Sequence, residues 1–485
     1  MSQSEIIERT GGQLVVDSLR THEVDTVFCV PGESYLAVLD ALHDQSNAIR
    51  TITCRQEGGA SFMAEAYGKA TGKPGVLMVT RGPGACNASI GVHTAHQDST
   101  PMVVLIGQVA REQAYREAFQ EIDYRHFYAP LCKWVAQVES ADRLPELMSQ
   151  AFHRATGGRP GPVALALPED MLRERAPAGD TQVHAVVEPE MSETQTESLR
   201  SLLAGARRPF LLLGGPGFSA PVCAALQAFA QANQLAVAAT FRCQDRFDNR
   251  HACYAGDVGI GVNPKLAQRL RECDLLIVVG ARLGEMTTQG YTLPAPPRAP
   301  QTLVHVYPDP QELGRVYQPD LPICASAGAF ARAVAHMEPI ANPPWREATA
   351  QAHTEYLQWT QPEGGLPGEL DMGAVMQTLR DTLPPEAILT TDAGNFSGWM
   401  HRHYVYRRFP SQLGPTNGAM GYGIPAAIAA RLAYPDRPVV GFCGDGGALM
   451  SGQEIATAVH EGIDPVILGV NNARYGTIRM HQERE

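Results

Sequence analysis

The chain has 485 residues, 44% of them hydrophobic and 19% charged. At roughly 150 residues per domain that length gives a prior of about three domains, and the 46 glycines and 36 prolines stay below the level of collagen-like or natively disordered chains. The 51 acidic residues outnumber the 39 basic ones, for a formal charge of −12, the wrong sign for a nucleic-acid-binding surface or for adhesion to an anionic membrane.

Short apolar runs alternate with helix-length amphipathic stretches. Val24–Val30, Thr51–Cys54, Gly75–Thr80 and Pro101–Ile106 read as strands buried on both faces, with helical stretches such as Gly58–Thr71 between them. This is the pattern of parallel α/β architecture. Two stretches, 174–191 and 337–347, are rich in proline and polar residues, lack apolar periodicity, and read as linkers. They separate predicted domains at 1–178, 190–336 and 348–485. The middle one has its own strand signals at Pro209–Leu213, Leu235–Ala239, Leu275–Val279 and Thr302–Tyr307.

No apolar run approaches the length of a membrane span; Leu275–Gly280 is typical. The opening Met1-Ser-Gln-Ser-Glu5 has no basic-then-apolar signal region. The ten cysteines form no C-x-x-C pair and read as small buried hydrophobes of a reducing compartment. The expectation is a cytoplasmic protein.

The third segment carries the informative chemistry. Pro438–Cys443 reads as a strand running into Gly444-Asp445-Gly446-Gly447, followed by a helix over Ser451–Glu461 with Ile455 and Val459 on one face and Gly462 as its stop. Pro465–Val470 is a second strand, ending at Asn471-Asn472-Ala473-Arg474-Tyr475-Gly476. A right-handed crossover makes the two strands parallel and delivers Asp445 and Asn472 to one sheet edge. A carboxylate and an amide oxygen beside glycine N–H groups make a hard oxygen site, suited to Mg²⁺ shared with a phosphate-bearing ligand. A lone G-D-G or N-N is more often a plain turn. The two together, in that order on strand ends, favour function.

With these motifs the chain resembles, over essentially its whole length, the thiamine-diphosphate enzymes that include acetolactate synthase, pyruvate decarboxylase, pyruvate oxidase and benzoylformate decarboxylase. The resemblance implies three consecutive doubly wound parallel-sheet domains (pyrimidine-binding, central and diphosphate-binding). It also implies that the last of them is truncated, without a C-terminal lid, because such proteins continue for several dozen residues beyond the N-N motif. It assigns Mg²⁺ to the side chains of Asp445 and Asn472 and the carbonyl of Arg474. Gly446, Gly447, Tyr475 and Gly476 would line the diphosphate, as would Gly394 and Asn395 from Asp392-Ala-Gly-Asn395. From Asn417-Gly-Ala-Met-Gly421, the Gly418 carbonyl would accept from the aminopyrimidine and Met420 would wedge the coenzyme into its bent shape. Glu57, at the start of a helix, would be the activating carboxylate that hydrogen-bonds the pyrimidine ring. In the family the Glu57 of one subunit serves the site of its partner, which makes an obligate homodimer or a dimer of dimers the expected assembly.

Arg81–Asn87, Thr94–Pro101 and Ala118-Phe119-Gln120-Glu121 look closest to acetolactate synthase, and Phe119 and Gln120 would line the substrate pocket. The adjacent-His pair of pyruvate decarboxylases is absent, and His93 and His96 read as structural histidines. Two acceptor-binding positions depart from true acetolactate synthase: its arginine falls on Met286 and its tryptophan on His481. Glu33, in Pro31-Gly-Glu-Ser34, is a second-step acid/base or a surface carboxylate with equal weight. The reaction implied is decarboxylation of a pyruvate-type 2-oxo acid and transfer of the resulting carbanion to a second carbonyl. The alternatives are decarboxylation without carboligation, a flavin oxidase of the same fold, and a catalytically silent binding or regulatory protein. Gly214-Gly-Pro-Gly217 and Asp309 are compatible with FAD, but a packing role for the glycines is at least as well supported.

Overall fold

A computed structural model of the protein describes residues 8–183, 185–364 and 370–484. His184, inside the predicted linker 174–191, lies outside them, as does Glu485. The chain forms two compact units. One comprises Met1–Val187, Asn417–Pro435 and Asp445–Gly469, and the other Glu188–Thr416, Asp436–Gly444 and Val470–Glu485.

Among the described residues of the first unit, six strands lie in the order Arg50–Thr53, Thr26–Cys29, Gly75–Val79, Met102–Gln108, Pro162–Pro168 and Trp134–Gln137. All the pairings are parallel; Val27 faces Thr51 and Val76, and Val76 also faces Val103. The seven residues of Met102–Gln108 are all buried, as a strand covered on both faces requires. The helices Gly11–Thr21, Leu36–Asp44 and Leu144–Thr156 press Leu14, Val16, Val38, Leu42, Met148 and Phe152 into the core on one face. Thr10 and Gln13 close a reciprocal capping box at the first of them. Glu57–Thr71 and Pro83–Asp98 pack so closely that a Cβ at Gly91 would collide with Ser61.

Among its described residues, the predicted linker 174–191 contains one regular piece: Arg175–Pro177 pairs antiparallel with Glu8–Thr10. Sequence pattern could not find it, because its partner is 167 residues away and three-residue strands carry no period.

In the second unit, the described strands of the middle sheet run Tyr254–Asp257, Ala236–Ala239, Pro209–Leu213, Leu275–Val279, Thr302–Tyr307 and Leu321–Cys324, again all parallel. Its two faces are covered by separate cores, one around Leu211, Ile277, Val304 and Phe330 and the other around Leu212, Val278 and Leu303. The proline-rich stretch 337–347 does not end this body. Trp345 is buried and donates through Nε1 to the Asn233 carbonyl at 2.9 Å. The following helix, Arg346–Trp359, adds Ala352 and Tyr356 to the middle cores. The third parallel ladder of the chain, also in this unit, joins Gln412–Leu413, Ile388–Thr391 and Val439–Gly444.

The helix expected over Ser451–Glu461 is instead two helices, Asp445–Ser451 and Ile455–Glu461, joined by a 3₁₀ turn at Gly452–Glu454. Ile455 and Val459 share a face, but it is exposed, at 48% and 76%.

One half-buried carboxyl makes stability depend on pH. Asp257 ends its strand next to the Gln244 amide, which donates to Oδ1 at 3.1 Å, and burial pushes its carboxyl up to about 7. The folded protein holds this proton where the unfolded chain, with a carboxyl near about 4, has lost it. Stability from this group therefore falls as pH rises between those values. Asp257→Asn, which keeps an acceptor for Gln244, should melt several degrees above the native protein at about pH 8, with the gap closing towards about pH 4; thermal unfolding across pH measures it.

Candidate functional site

In a parallel sheet ligands gather at the C-terminal strand edge, where the strand order reverses. In the first unit the reversal lies between Thr26–Cys29 and Gly75–Val79, both paired to each other. The chain leaves these strands at Glu33-Ser34 and at Thr80-Arg81. Ser34 Oγ and Thr80 Oγ1 are hydrogen-bonded at 2.8 Å, and the Arg81 guanidinium reaches Glu33 at 3.6 Å and Glu169 at 3.0 Å. Glu33 itself is 56% exposed.

Glu57 joins this edge. It is the first residue of its helix, with Gln56 as N-cap accepting from the Gly59 N–H at 3.1 Å. The Asn87 amide donates to Glu57 Oε2 at 2.9 Å. Oε1 faces Gly84, where a Cβ would stand 3.3 Å away, so the absence of a side chain there leaves the carboxylate edge open. Gln120 also belongs to this edge, since a Cβ on Gly82 would meet its backbone carbonyl at 2.7 Å. Its buried Oε1 has no hydrogen-bond partner, and its φ of +65° lies in the left-handed region. Glu121 builds this loop by accepting from the N–H groups of Tyr115 and Ala118 at 2.7 and 2.9 Å. Against the upward push of burial, those donors hold its carboxyl below the usual range. Phe119 stands 74% exposed.

A second cluster of the first unit surrounds residues 417–421. Asn417 Nδ2 lies 3.1 Å from His93 Nδ1 and 3.0 Å from Thr94 Oγ1, and its Oδ1 accepts from the Ala419 N–H at 3.2 Å. His93 thus has the structural partner expected of it, on the loop that presents Gly418. Gly418 has φ +73° and open space where a Cβ would be, leaving its backbone approachable. Met420 is half-buried, and a Cβ on Gly421 would meet Met450 at 3.2 Å. Asp445, half-buried, opens the helix Asp445–Ser451 immediately after the strand Val439–Gly444; Gly446 and Gly447 form its first turn.

Glu454 escaped the sequence reading. Fully buried, it accepts at Oε1 from the N–H groups of Arg55 (3.1 Å) and Gln56 (2.9 Å), and at Oε2 from the Thr457 hydroxyl (2.7 Å). Burial pushes its carboxyl up, opposed by those donors. The residue nine positions beyond Asp445 therefore pins the backbone just ahead of Glu57. No local pattern announces such a contact. Tyr422 was missed for the same reason: its hydroxyl donates at 2.6 Å to Glu65 Oε2, while Thr100 donates to Oε1 at 2.6 Å and Lys69 lies 3.1 Å from it.

In the second unit the reversal falls between Ile388–Thr391 and Val439–Gly444. The Asp392 N–H donates to the Phe442 carbonyl at 3.2 Å. Gly394 has φ +156°, and Cβ atoms at Gly394 and Gly444 would strike the Phe396 ring at 2.6 and 2.9 Å. Asn395 Oδ1 accepts from Thr477 Oγ1 at 2.9 Å, and its Nδ2 lies 3.8 Å from Met480 Sδ. Asn395 is thereby joined to the helix Gly476–Arg484, which carries the exposed His481. Asn472 follows directly on the strand Val466–Val470 and is exposed. Its Oδ1 accepts from the Arg474 N–H at 3.2 Å, which closes a tight turn with Ala473 at φ +53°. Tyr475 is 65% exposed.

Three family models match the chain: the thiamine pyrophosphate enzyme N-terminal TPP-binding domain over residues 9–127, the central domain over 196–334, and the C-terminal TPP-binding domain over 392–485. The chain belongs to the thiamine pyrophosphate enzymes. It is similar to acetolactate synthase isozyme 2 large subunit of Escherichia coli (strain K12), with 32% identity over 98% of this chain and 85% of that protein. It is also similar to acetolactate synthase large subunits of Parasynechococcus marenigrum (strain WH8102), at 36% over 98% and 78%, and of Lactococcus lactis subsp. lactis (strain IL1403), at 30% over 98% and 82%. Among the described residues no helix is long and apolar enough to cross a membrane.

The residues present fit a thiamine diphosphate. Gly418 has open space beside its backbone, and Asp445 begins a helix whose first N–H groups are free of intrahelical partners. For FAD the glycines of the middle sheet add no support of their own. A Cβ at Gly214 would collide with Thr240, and one at Gly215 with the Gly280 carbonyl, so these two glycines are required by the chain's own packing.

Removing the Glu454 carboxylate would strand buried N–H groups at Arg55 and Gln56. Glu454→Ala should cost about 3 kcal/mol of stability in a denaturant titration, and Glu454→Gln, which keeps one acceptor oxygen, distinctly less.

Proposed function

We propose that this enzyme is acetolactate-synthase-like in its reaction: with thiamine diphosphate and Mg²⁺ it decarboxylates a pyruvate-type 2-oxo acid and joins the remaining fragment to a second carbonyl. The observation that carries the reading is the Glu57 carboxylate, set at a helix start, fixed by Asn87 on one oxygen and open beside Gly84 on the other. When bound, the coenzyme supplies a thiazolium carbon nucleophile and an electron sink. Glu57 holds the proton at the pyrimidine ring nitrogen. The Gly418 carbonyl accepts from the aminopyrimidine, and Met420 supports its bend. Gly394, Asn395, Gly446, Gly447, Tyr475 and Gly476 bind the diphosphate. The carboxylate of Asp445, the amide oxygen of Asn472 and the carbonyl of Arg474 form a hard-oxygen set of the kind that holds Mg²⁺.

Gln120, with its unpartnered buried oxygen, and Phe119 face the 2-oxo acid and its acceptor, and Glu33 handles the later proton transfer. The working unit is a homodimer in which each subunit lends Glu57 to the other. In support, Leu449 (88%), Met450 (52%), Ile455 (48%) and Val459 (76%) expose apolar side chains on two consecutive helices, as an unpaired self-association face does. A second reading, decarboxylation that ends in protonation, is favoured by Met286 and His481 at the two acceptor positions.

Calorimetric titration should show thiamine diphosphate binding only with a divalent cation present, and chelation of the cation should release it. Glu57→Gln should keep binding and lose about 100-fold or more in turnover. Incubated with pyruvate, the enzyme should give a coupled 2-hydroxy-3-oxo acid; CO₂ with acetaldehyde as the whole product would select the second reading, and a chain that ignores the coenzyme would sink both. Sedimentation should give at least a dimer, dissociated by Leu449→Asp with Val459→Asp.

A further inference from the structure

Between the middle sheet and the third ladder of the second unit lies a buried polar layer made by residues 242–249. Gln244 is fully buried: its N–H donates to Gln412 Oε1 at 2.8 Å and its side-chain amide to the His401 carbonyl at 2.7 Å. Asp245 Oδ2 accepts from the N–H groups of Ser411 and Gln412 at 2.8 and 3.1 Å. Asn249 exchanges two hydrogen bonds with Tyr406, its N–H donating to the Tyr406 carbonyl and its Oδ1 accepting from the Tyr406 N–H, both at 2.9 Å.

Arg242 is the member of this layer nearest to function. It is 5% exposed, and its backbone φ of +60° lies in the left-handed region, which an arginine adopts at a cost. Its two terminal nitrogens go to two different loops. Nη1 donates to the Pro415 carbonyl at 2.6 Å and Nη2 to the Asp392 carbonyl at 2.9 Å. Asp392 is two residues before Gly394, and Pro415 runs on to Asn417 and Gly418. The same stem limits Gly414, where a Cβ would come within 3.0 Å of Arg242 Cδ.

We propose that Arg242 is a positioning residue for the coenzyme: from the middle segment, one guanidinium sets the spacing of the two chain segments, at Asp392 and Pro415, that run on into Gly394-Asn395 and Gly418, and its buried positive charge favours an anionic coenzyme. This rests on the assignment of those loops to thiamine diphosphate. A planar guanidinium fork holds two acceptors at a fixed separation, which a flexible ammonium does not. Its charge also bears on a neighbouring ring of this layer. His401, whose ring meets Phe241 edge-on at 5.6 Å, is held at about 3, first by burial and then by the Arg242 charge.

The test uses the full chain with Mg²⁺ and thiamine diphosphate as the probe. Wild type, Arg242→Lys and Arg242→Gln are compared by calorimetric dissociation constant and, without coenzyme, by unfolding temperature. Arg242→Gln, which loses both charge and fork, should weaken coenzyme binding at least about tenfold; Arg242→Lys, which keeps the charge and can reach one carbonyl, should fall between. Trp345→Phe serves as the control for a folding defect: it lowers the unfolding temperature and leaves the dissociation constant of the folded protein unchanged. Folded Arg242 variants with wild-type coenzyme affinity would overturn the proposal while leaving the enzyme assignment intact. A wild type that binds no coenzyme would overturn both. Should neither variant fold, hydrogen exchange on the wild type decides: coenzyme must slow exchange across 241–246 together with 393–398, and protection of 393–398 alone would refute the coupling.

Discussion

A strand that pairs in parallel with its neighbour must return by a crossover, so every strand of such a sheet ends at the same edge. That constraint organises this molecule. It brings Glu33, Glu57, Thr80, Arg81 and Gln120 to one rim, although they span almost ninety positions of sequence, and it brings Asp392–Asn395 beside the end of Val439–Gly444. The apolar interior of the sheets carries no chemistry. Its contribution is rigidity: Met102–Gln108 and Pro162–Pro168 are buried along their whole length, so the loops that leave the rim start from fixed points.

At the rim the polar groups are held by other polar groups, and the strongest of these holds are buried carboxylates. Glu454 fixes the backbone that leads into Glu57, and Glu65 ties the Glu57–Thr71 helix to Tyr422 through a 2.6 Å bond. Burial pushes both carboxyls up. An acceptor in such a place is costly unless every lone pair is used, and here Thr457, Thr100, Lys69 and backbone N–H groups use them. A carboxylate satisfied in this way tolerates little displacement, and it fixes the start of the Glu57–Thr71 helix. The Glu65–Lys69 pair, with Lys69 also bonded to Asp98, is better understood as fixing geometry than as net stabilisation, because desolvation consumes most of what a buried ion pair gains.

Much of this was legible in the sequence, and the reason is local periodicity. Pro209–Leu213, Leu275–Val279 and Thr302–Tyr307 occupy the predicted spans, and Glu57 opens its helix next to where the pattern placed it. The G-D-G and N-N motifs stand directly after their strands. Three kinds of feature were not legible. A strand as short as Arg175–Pro177 exists only through a partner far away in the chain. The break between Asp445–Ser451 and Ile455–Glu461 comes where Glu454 turns inward to meet Arg55 and Gln56, a tertiary demand that overrides helix propensity. The third kind is long-range polar contacts such as Arg242 with Asp392 and Pro415, which have no sequence period at all. The proline-rich stretch 337–347 misled for a related reason: composition suggested a solvated linker, but one buried indole, Trp345, anchors it to the middle core.

The middle sheet changes in meaning when these contacts are taken together. Its glycine-rich turn at Gly214–Gly217 is compatible in sequence with a dinucleotide site and at least equally with a packing role. In the structure Gly214 and Gly215 are needed so that Thr240 and the Gly280 carbonyl can approach, and Arg246, itself paired with Asp245, lies over the rings of Phe218 and Phe409 at 5.7 and 4.8 Å. The polar capital of this segment is directed into the third ladder, through Arg242, Gln244, Asp245 and Asn249. Each of these side chains is almost fully buried, and each satisfies backbone groups that would otherwise be orphaned between two bodies. A segment used in that way acts as a scaffold for the chain at Asp392 and Pro415, and its conformational freedom is set by the same hydrogen bonds that set theirs.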